Sequence, residues 1–337
     1  MTSLLHIEKL HVNFMTETGI ARAVNGITFS IESGRTLGVV GESGCGKSVT
    51  SRAILRLIEP PGWIDAGRIL FNSKDGVVDL AKLPQKGKRI NAIRGAEIAM
   101  IFQEPMTALN PVLTIGDQIA ETLRVHQDIS RKEAKERAIE SLAAVGITAP
   151  LQRIDEFPHN LSGGMRQRAM IGMAMIGNPS LLIADEPTTA LDVTIQAQVL
   201  DLMNDMRRNF TGSIMFITHD LGVIASMADD VTVMYHGKIV ESAPVRALFR
   251  TPLHPYTQGL LRSAPSISGP NKGRLATIEG SVPHPTAIIH GCSFASRCGQ
   301  AKPVCRSSVP ALIDVADRQK VACFLHHSVV GDSANAS

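Results

Sequence analysis

The chain has 337 residues, 44% hydrophobic and 19% charged, with a formal net charge of +3. That composition supports a packed core and excludes gross disorder, while the charge is too small to argue for a nucleic-acid partner. The length predicts one large domain with an extension, or two domains.

Residues 1–12 lack a basic start followed by an apolar run, so no signal peptide is expected. No apolar run approaches the roughly 18 residues of a membrane span. The longest, 169–177, stops at Asn178-Pro179. The expectation is a cytosolic protein that reaches a membrane only by docking to something that spans it.

Leu5 to Phe14 and Ala21 to Ile31 come close to alternating apolar and polar residues, as strands of a half-exposed antiparallel sheet do, with a turn at 16–19. Phe14 has a flat apolar face on which a purine could stack, and it reads equally well as an ordinary core residue. Thr36 to Val40 predicts a short buried strand and 49–58 a helix. Between them runs Gly41-Glu42-Ser43-Gly44-Cys45-Gly46-Lys47-Ser48, in the strand–loop–helix context of a phosphate-binding loop. Its glycines let successive backbone N–H groups turn toward phosphate oxygens, and the helix start adds its positive end. Lys47 suits the β- and γ-phosphates and Ser48 suits Mg²⁺. Cys45 in the loop predicts sensitivity to thiol reagents.

Gly67 to Phe71 predicts another strand, and 73–89 reads as loop. Glu97 to Phe102 predicts a buried strand that ends at Gln103, a possible Mg²⁺ ligand. Thr114 to His126 and Ser130 to Val145 predict helices, the second with Ser130 and Glu133 as a capping box and Gly146 as its stop. Leu161-Ser162-Gly163-Gly164-Met165-Arg166-Gln167-Arg168 opens a helix with bare backbone N–H groups, a second anion site. Ser180 to Asp185 reads as a buried strand of parallel type with Asp185 and Glu186 at its C-terminal end, where open α/β sheets bind ligands. Asp185 suits Mg²⁺, and Glu186 suits polarising an attacking water. Ile195 to Asn209 predicts a helix. Ser213 to Thr218 predicts a strand that ends at His219, which could meet a γ-phosphate or be a structural histidine. Val231 to Tyr235 and Lys238 to Glu241 predict a hairpin, and the chain reads as irregular from Thr251.

The phosphate loop, Gln103, 161–168, the 181–186 strand, Ala190-Leu191-Asp192 and His219 stand in the order found in ATP-binding cassette (ABC) ATPases, which residues 4–250 resemble throughout. Leu161 to Gly164 is the discriminating element. The stretches 103–111 and Leu253-His254-Pro255-Tyr256-Thr257, with the cysteines beyond them, resemble the peptide/nickel import subfamily, above all its dipeptide or oligopeptide D-type subunit. The resemblance implies a P-loop α/β fold: a RecA-like core, an antiparallel β subdomain and a helical signature subdomain at about 104–178. It implies a nucleotide-binding domain over 1–250, an extension over 251–325 and a tail over 326–337. It assigns Gly41 to Ser48, Gln103 and Phe14 to ATP, with Phe14 on adenine. Ser48, Gln103 and Asp185 go to Mg²⁺, and Glu186 is the general base. His219 meets the γ-phosphate, and Ser162, Gly163, Gly164 and Met165 meet ATP held by an opposing subunit. Met165 stands where the wider family commonly has glutamine. The implied partners are a second, F-type ATPase subunit in a heterodimer, two transmembrane permeases and a periplasmic or extracellular peptide-binding protein, with no nucleic acid. The implied location is peripheral, on the cytoplasmic face of the inner membrane.

Cys292, Cys298, Cys305 and Cys323 are separated by five, six and seventeen residues. That spacing alone leaves zinc, an iron–sulfur cluster and no metal all open. The subfamily resemblance implies a [4Fe–4S] cluster on all four, structural or redox-sensing. Competing readings are a non-transport ABC ATPase, disfavoured by a single cassette without sustained heptads, and a redox module that only the C-terminal region supports.

Overall fold

The computed structural model describes residues 3–189, 191–263 and 277–327. Ala190 and the end of the tail lie outside the described residues.

Two sheets organise the chain. Strands β1 (Ser3–Thr16) and β2 (Gly19–Glu32) form the expected hairpin. They join β4 (Gly62–Ser73) and β5 (Gly76–Asp79) in an antiparallel sheet of order β2-β1-β4-β5. The second sheet contains β3 (Thr36–Val40), β6 (Ile98–Ile101), β7 (Leu181–Asp185), β8 (Ser213–Thr218), β9 (Asp230–Tyr235), β10 (Lys238–Pro244), β11 (Ile313–Ala316) and β12 (Gln319–Val321). Its order is β11-β12-β10-β9-β3-β8-β7-β6. Strands β9, β3, β8, β7 and β6 run parallel, and β10 to β12 add antiparallel pairs at one edge. Every residue of β3, β6, β7 and β8 is buried. This is the run expected of parallel strands covered on both faces.

Between β6 and β7 the chain supplies the helices Pro105–Ala108, Ile115–Arg124, Arg131–Ala144, Pro150–Arg153 and Gly163–Met175. The predicted cap at Ser130 is present, its hydroxyl accepting from Glu133 N, and Thr114 caps the preceding helix in the same way by accepting from Asp117 N. Gly146 stops the longer helix at φ +73°, a backbone region that favours glycine.

Two polar stretches carry more structure than expected. Residues 73–89, read as loop, contain β5, a 3-10 turn at Leu80–Lys82 and the first residues of the helix Lys88–Ile93. Buried Glu97 accepts from Ser73 Oγ (3.0 Å) and Lys74 N (2.9 Å), while Leu80, Ile90 and Ile93 pack into the core. Beyond Thr251 the chain forms the helix Pro255–Ser263, and β12 pairs with β10. Fully buried Glu241 of β10 accepts from Leu253 N and His254 N, both at 2.9 Å, and from Gln319 Nε2 at 3.4 Å. A buried carboxylate needs such donors, and they sew the C-terminal region onto the core sheet.

Candidate functional site

Register aligns the C-terminal ends of the parallel strands. Val40 pairs with Thr218, Asp185 with Ile217, and Ile101 with Ala184. The residues that follow each strand therefore meet at one edge, the position at which open α/β sheets bind ligands. There Ala23, Glu42 to Gly44, Gly46 to Val49, Gln103, Glu186, Thr189 and His219 line a cleft of about 560 Å³.

Two glycines make the loop possible. A Cβ on Gly41 would collide with the Met234 carbonyl, and one on Gly46 with the Ala23 carbonyl. Gly46 sits at φ +104° as the N-cap of the helix Lys47–Ile54. Lys47 is 4% exposed, and its Nζ donates to the carbonyls of Gly41 (2.8 Å) and Glu42 (3.2 Å) and lies 3.6 Å from Glu186 Oε1. The ammonium is thus held by carbonyls of the loop itself, in the cleft where the helix Lys47–Ile54 begins.

Asp185 is 3% exposed and accepts from Ser48 Oγ (2.9 Å) and Ser51 Oγ (3.1 Å). Burial pushes its carboxyl above the usual range, the two hydroxyls oppose that rise, and neighbouring Glu186 adds to it. A divalent cation would suit this buried anion. Ser48 and Asp185 would hold Mg²⁺, the hard cation that carboxylate and hydroxyl oxygens favour, and it would supply charge neutralisation for a triphosphate. Glu186 Oε2 receives Thr189 Oγ1 (2.8 Å) and Gln103 Nε2 (3.3 Å) and lies 3.4 Å from His219 Nδ1. Glu186 itself sits at φ +48°, a left-handed backbone that a non-glycine residue holds only where its surroundings fix it. The cleft therefore unites Lys47, Ser48, Gln103, Asp185, Glu186 and His219, all anticipated from the sequence.

Other anticipated residues lie elsewhere. Ser162 caps the helix Gly163–Met175, its Oγ accepting from Met165 N at 3.3 Å. Ser162 and Gly163 are exposed and take no part in lining the cleft. Within one chain the helix start at Ser162 and the phosphate-loop cleft are separate. Phe14, partly buried, packs with the core of the β1 sheet and against Gly62, and it does not line the phosphate cleft. Cys45 corrects the expectation of a reagent-sensitive loop. It is 1% exposed, and burial pushes its thiol up, although Lys47 opposes the shift. Alkylation of the native protein by iodoacetamide is expected to spare Cys45, and unfolding in guanidinium to expose it. Peptide mapping that finds native Cys45 labelled as fast as unfolded Cys45 would refute this.

Sequence reasoning missed Arg297 and Tyr256, which both hold Glu42 of the loop. Arg297 Nη1 and Nη2 donate to the two Glu42 carboxylate oxygens at 2.6 and 3.0 Å, and Glu42 N donates to Tyr256 Oη at 2.9 Å. A lone arginine remote in sequence carries no local signal of such a partner.

All five cysteines are free thiols. Burial pushes up the thiols of Cys292, Cys298 and Cys323, and neighbouring cysteines add to the rise. Cys323 feels Cys292, Cys298 and Cys305, so the four share one neighbourhood. Yet among the described residues no group of three or more His, Cys, Asp or Glu is placed to hold a metal ion. The donor types suit iron or zinc, and a bound metal would displace the thiol protons that burial favours.

Fold and cleft together define the class of this chain, an ATP-hydrolysing cassette of the P-loop type. A dimeric ATP-binding cassette, MJ0796, in a post-hydrolysis state with ADP and Pi, shares the fold at a TM-score of 0.63 and 22% identity, covering 72% of this chain and 99% of that one. Residues 24–189 match the family model described as ABC transporter, and residues 240–305 match that of the oligopeptide/dipeptide transporter C-terminal region. The oligopeptide transport ATP-binding protein OppD of Bacillus subtilis is 48% identical, covering 97% of this chain and 90% of the relative. The dipeptide transport ATP-binding protein DppD of the same organism is 46% identical over 99% of both. The chain belongs to the ABC transporter family, in the group that carries this C-terminal region.

Proposed function

We propose that this chain is the ATP-hydrolysing subunit that energises import of dipeptides and oligopeptides through a membrane transporter. The observation that carries the reading is the convergence of Lys47, Gln103, Thr189 and His219 on Glu186, beside Asp185 held by Ser48 and Ser51. Glu186 takes the proton of the attacking water, Lys47 and the loop N–H groups hold the phosphates, and Gln103 and His219 orient the γ-phosphate end. The peptide cargo rests on the relatives' names and the C-terminal match.

The separation of Ser162 from the cleft supports a partner cassette that completes each site, and we assign that partner to an F-type subunit. From the relatives' names and the C-terminal match, the proposal includes two permease subunits, an external peptide-binding protein and a peripheral seat on the cytoplasmic face; no helix among the described residues is long and apolar enough to cross a membrane. Uptake of labelled dipeptides, oligopeptides and nickel by cells carrying Glu186→Gln tests the cargo. Selective loss of peptide uptake is the expected result, and selective loss of nickel uptake would replace the cargo.

We also assign a [4Fe–4S] cluster to Cys292, Cys298, Cys305 and Cys323, supported by four unpaired thiols in one neighbourhood. Anaerobically purified protein is then expected to carry about four iron and about four labile sulfide per chain. Zinc alone, or no metal, would overturn the assignment.

A further inference from the structure

We infer that Arg297 is a positioning residue for the phosphate loop. It cancels the charge of Glu42 inside the nucleotide cleft and fixes the backbone that aims Lys47. The inference deepens the reading of the cleft as an ATP site and rests on it.

The Arg297 side chain is 4% exposed. All three of its nitrogens are engaged. Two make the fork on Glu42, with Nη1 also 3.4 Å from Tyr235 Oη and Nη2 3.1 Å from the Ile278 carbonyl. Nε donates to the Glu279 carbonyl at 3.0 Å. The guanidinium lies 5.8 Å from the Tyr235 ring centre and 5.9 Å from that of Phe294. A planar cation held on both edges and flanked by rings has a single orientation, which a flexible lysine ammonium would not reproduce.

Its target is not an ordinary surface carboxylate. Glu42 lines the cleft that would receive a triphosphate. Left alone, its negative charge would oppose nucleotide binding at close range in a partly desolvated site. The Glu42 backbone is also in use: its carbonyl accepts from Lys47 Nζ, while its N–H donates to Tyr256 Oη. Arg297 thus acts on the nucleotide through Glu42 and Lys47 without touching it.

Equilibrium binding of Mg–ATP to the full-length protein, with thermal unfolding measured alongside, tests this. Arg297→Met is expected to weaken binding about tenfold, the loss of roughly one charged hydrogen-bond pair. Arg297→Lys, which keeps the charge without the fork, is expected to weaken it about threefold and serves as the readout if the methionine variant does not fold. The discriminating variant adds Glu42→Gln to Arg297→Met. With the unpaired carboxylate neutralised, at least half of the lost affinity, on a logarithmic scale, should return. A purely structural arginine would leave the double variant as weak as the single, and that result overturns the inference. So would unchanged binding in both Arg297 variants. Wild-type protein that fails to bind Mg–ATP at all would instead remove the ATP-site reading itself.

Discussion

Replacing Glu186 by glutamine is expected to slow ATP hydrolysis by about a thousandfold while Mg–ATP still binds, the scale of a positioned general base. The amide keeps the shape of the side chain and can still accept from Thr189 Oγ1, now 2.8 Å from Oε2. It cannot take a proton from water. Lys47 would keep its bonds to the Gly41 and Glu42 carbonyls, so the phosphate cradle survives. Single-turnover phosphate release, with nucleotide binding measured in parallel, separates the two effects. Hydrolysis at the wild-type rate would remove Glu186 from the mechanism. Loss of binding together with hydrolysis would give it a structural role.

The second large effect is expected at Ser162. Ser162→Arg should leave Mg–ATP binding by the substituted chain within about twofold, because Ser162 is remote from the cleft lining. Hydrolysis at the one composite site that this signature completes should nevertheless fall by at least about a hundredfold, the effect of losing donors placed on a transferring phosphoryl group. The cap on Met165 N is lost, which alone costs about 1 kcal/mol. The larger effect is that a long cation fills the helix mouth, where a Cβ on Gly163 would meet nothing within 4 Å. In the proposed arrangement, the affected site is the one whose phosphate loop belongs to the other cassette. Mixing a Ser162→Arg chain with a partner whose own phosphate loop is inactivated should therefore leave one intact composite site if each signature serves the opposite loop. ATP-dependent association that persists unchanged in the Ser162→Arg pair would refute the shared-site arrangement.

The parts of the site that sequence revealed are those whose chemistry is local. Gly41 to Ser48 shows as glycine spacing between a strand and a helix, and Asp185-Glu186 shows as two charges closing an apolar run. Ser130 and Glu133 advertise a helix start because the cap is only three residues long. What stayed hidden depends on pairing across the chain. Strand β5 sits in a polar segment and exists because β4 offers it a partner edge. The helix Pro255–Ser263 follows a stretch rich in proline, and buried Glu241 anchors the segment that enters it. The placement of Phe14 against Gly62 follows from the β1–β4 register, which no local pattern encodes. The proximity of the four cysteines also arises from tertiary packing, so spacing alone left their chemistry undecided.

The Arg297–Glu42 clamp joins positions 255 residues apart. A ribosome releasing about 5–20 residues per second would present the phosphate loop roughly 13 to 50 seconds before its arginine. Through that interval Glu42 has no counter-ion, and β10 lacks the strand that closes the sheet edge beside it. Full nucleotide affinity thus arrives near the end of synthesis. On the proposed role of Arg297, a cassette made only as far as β10 holds ATP more weakly than the finished chain does.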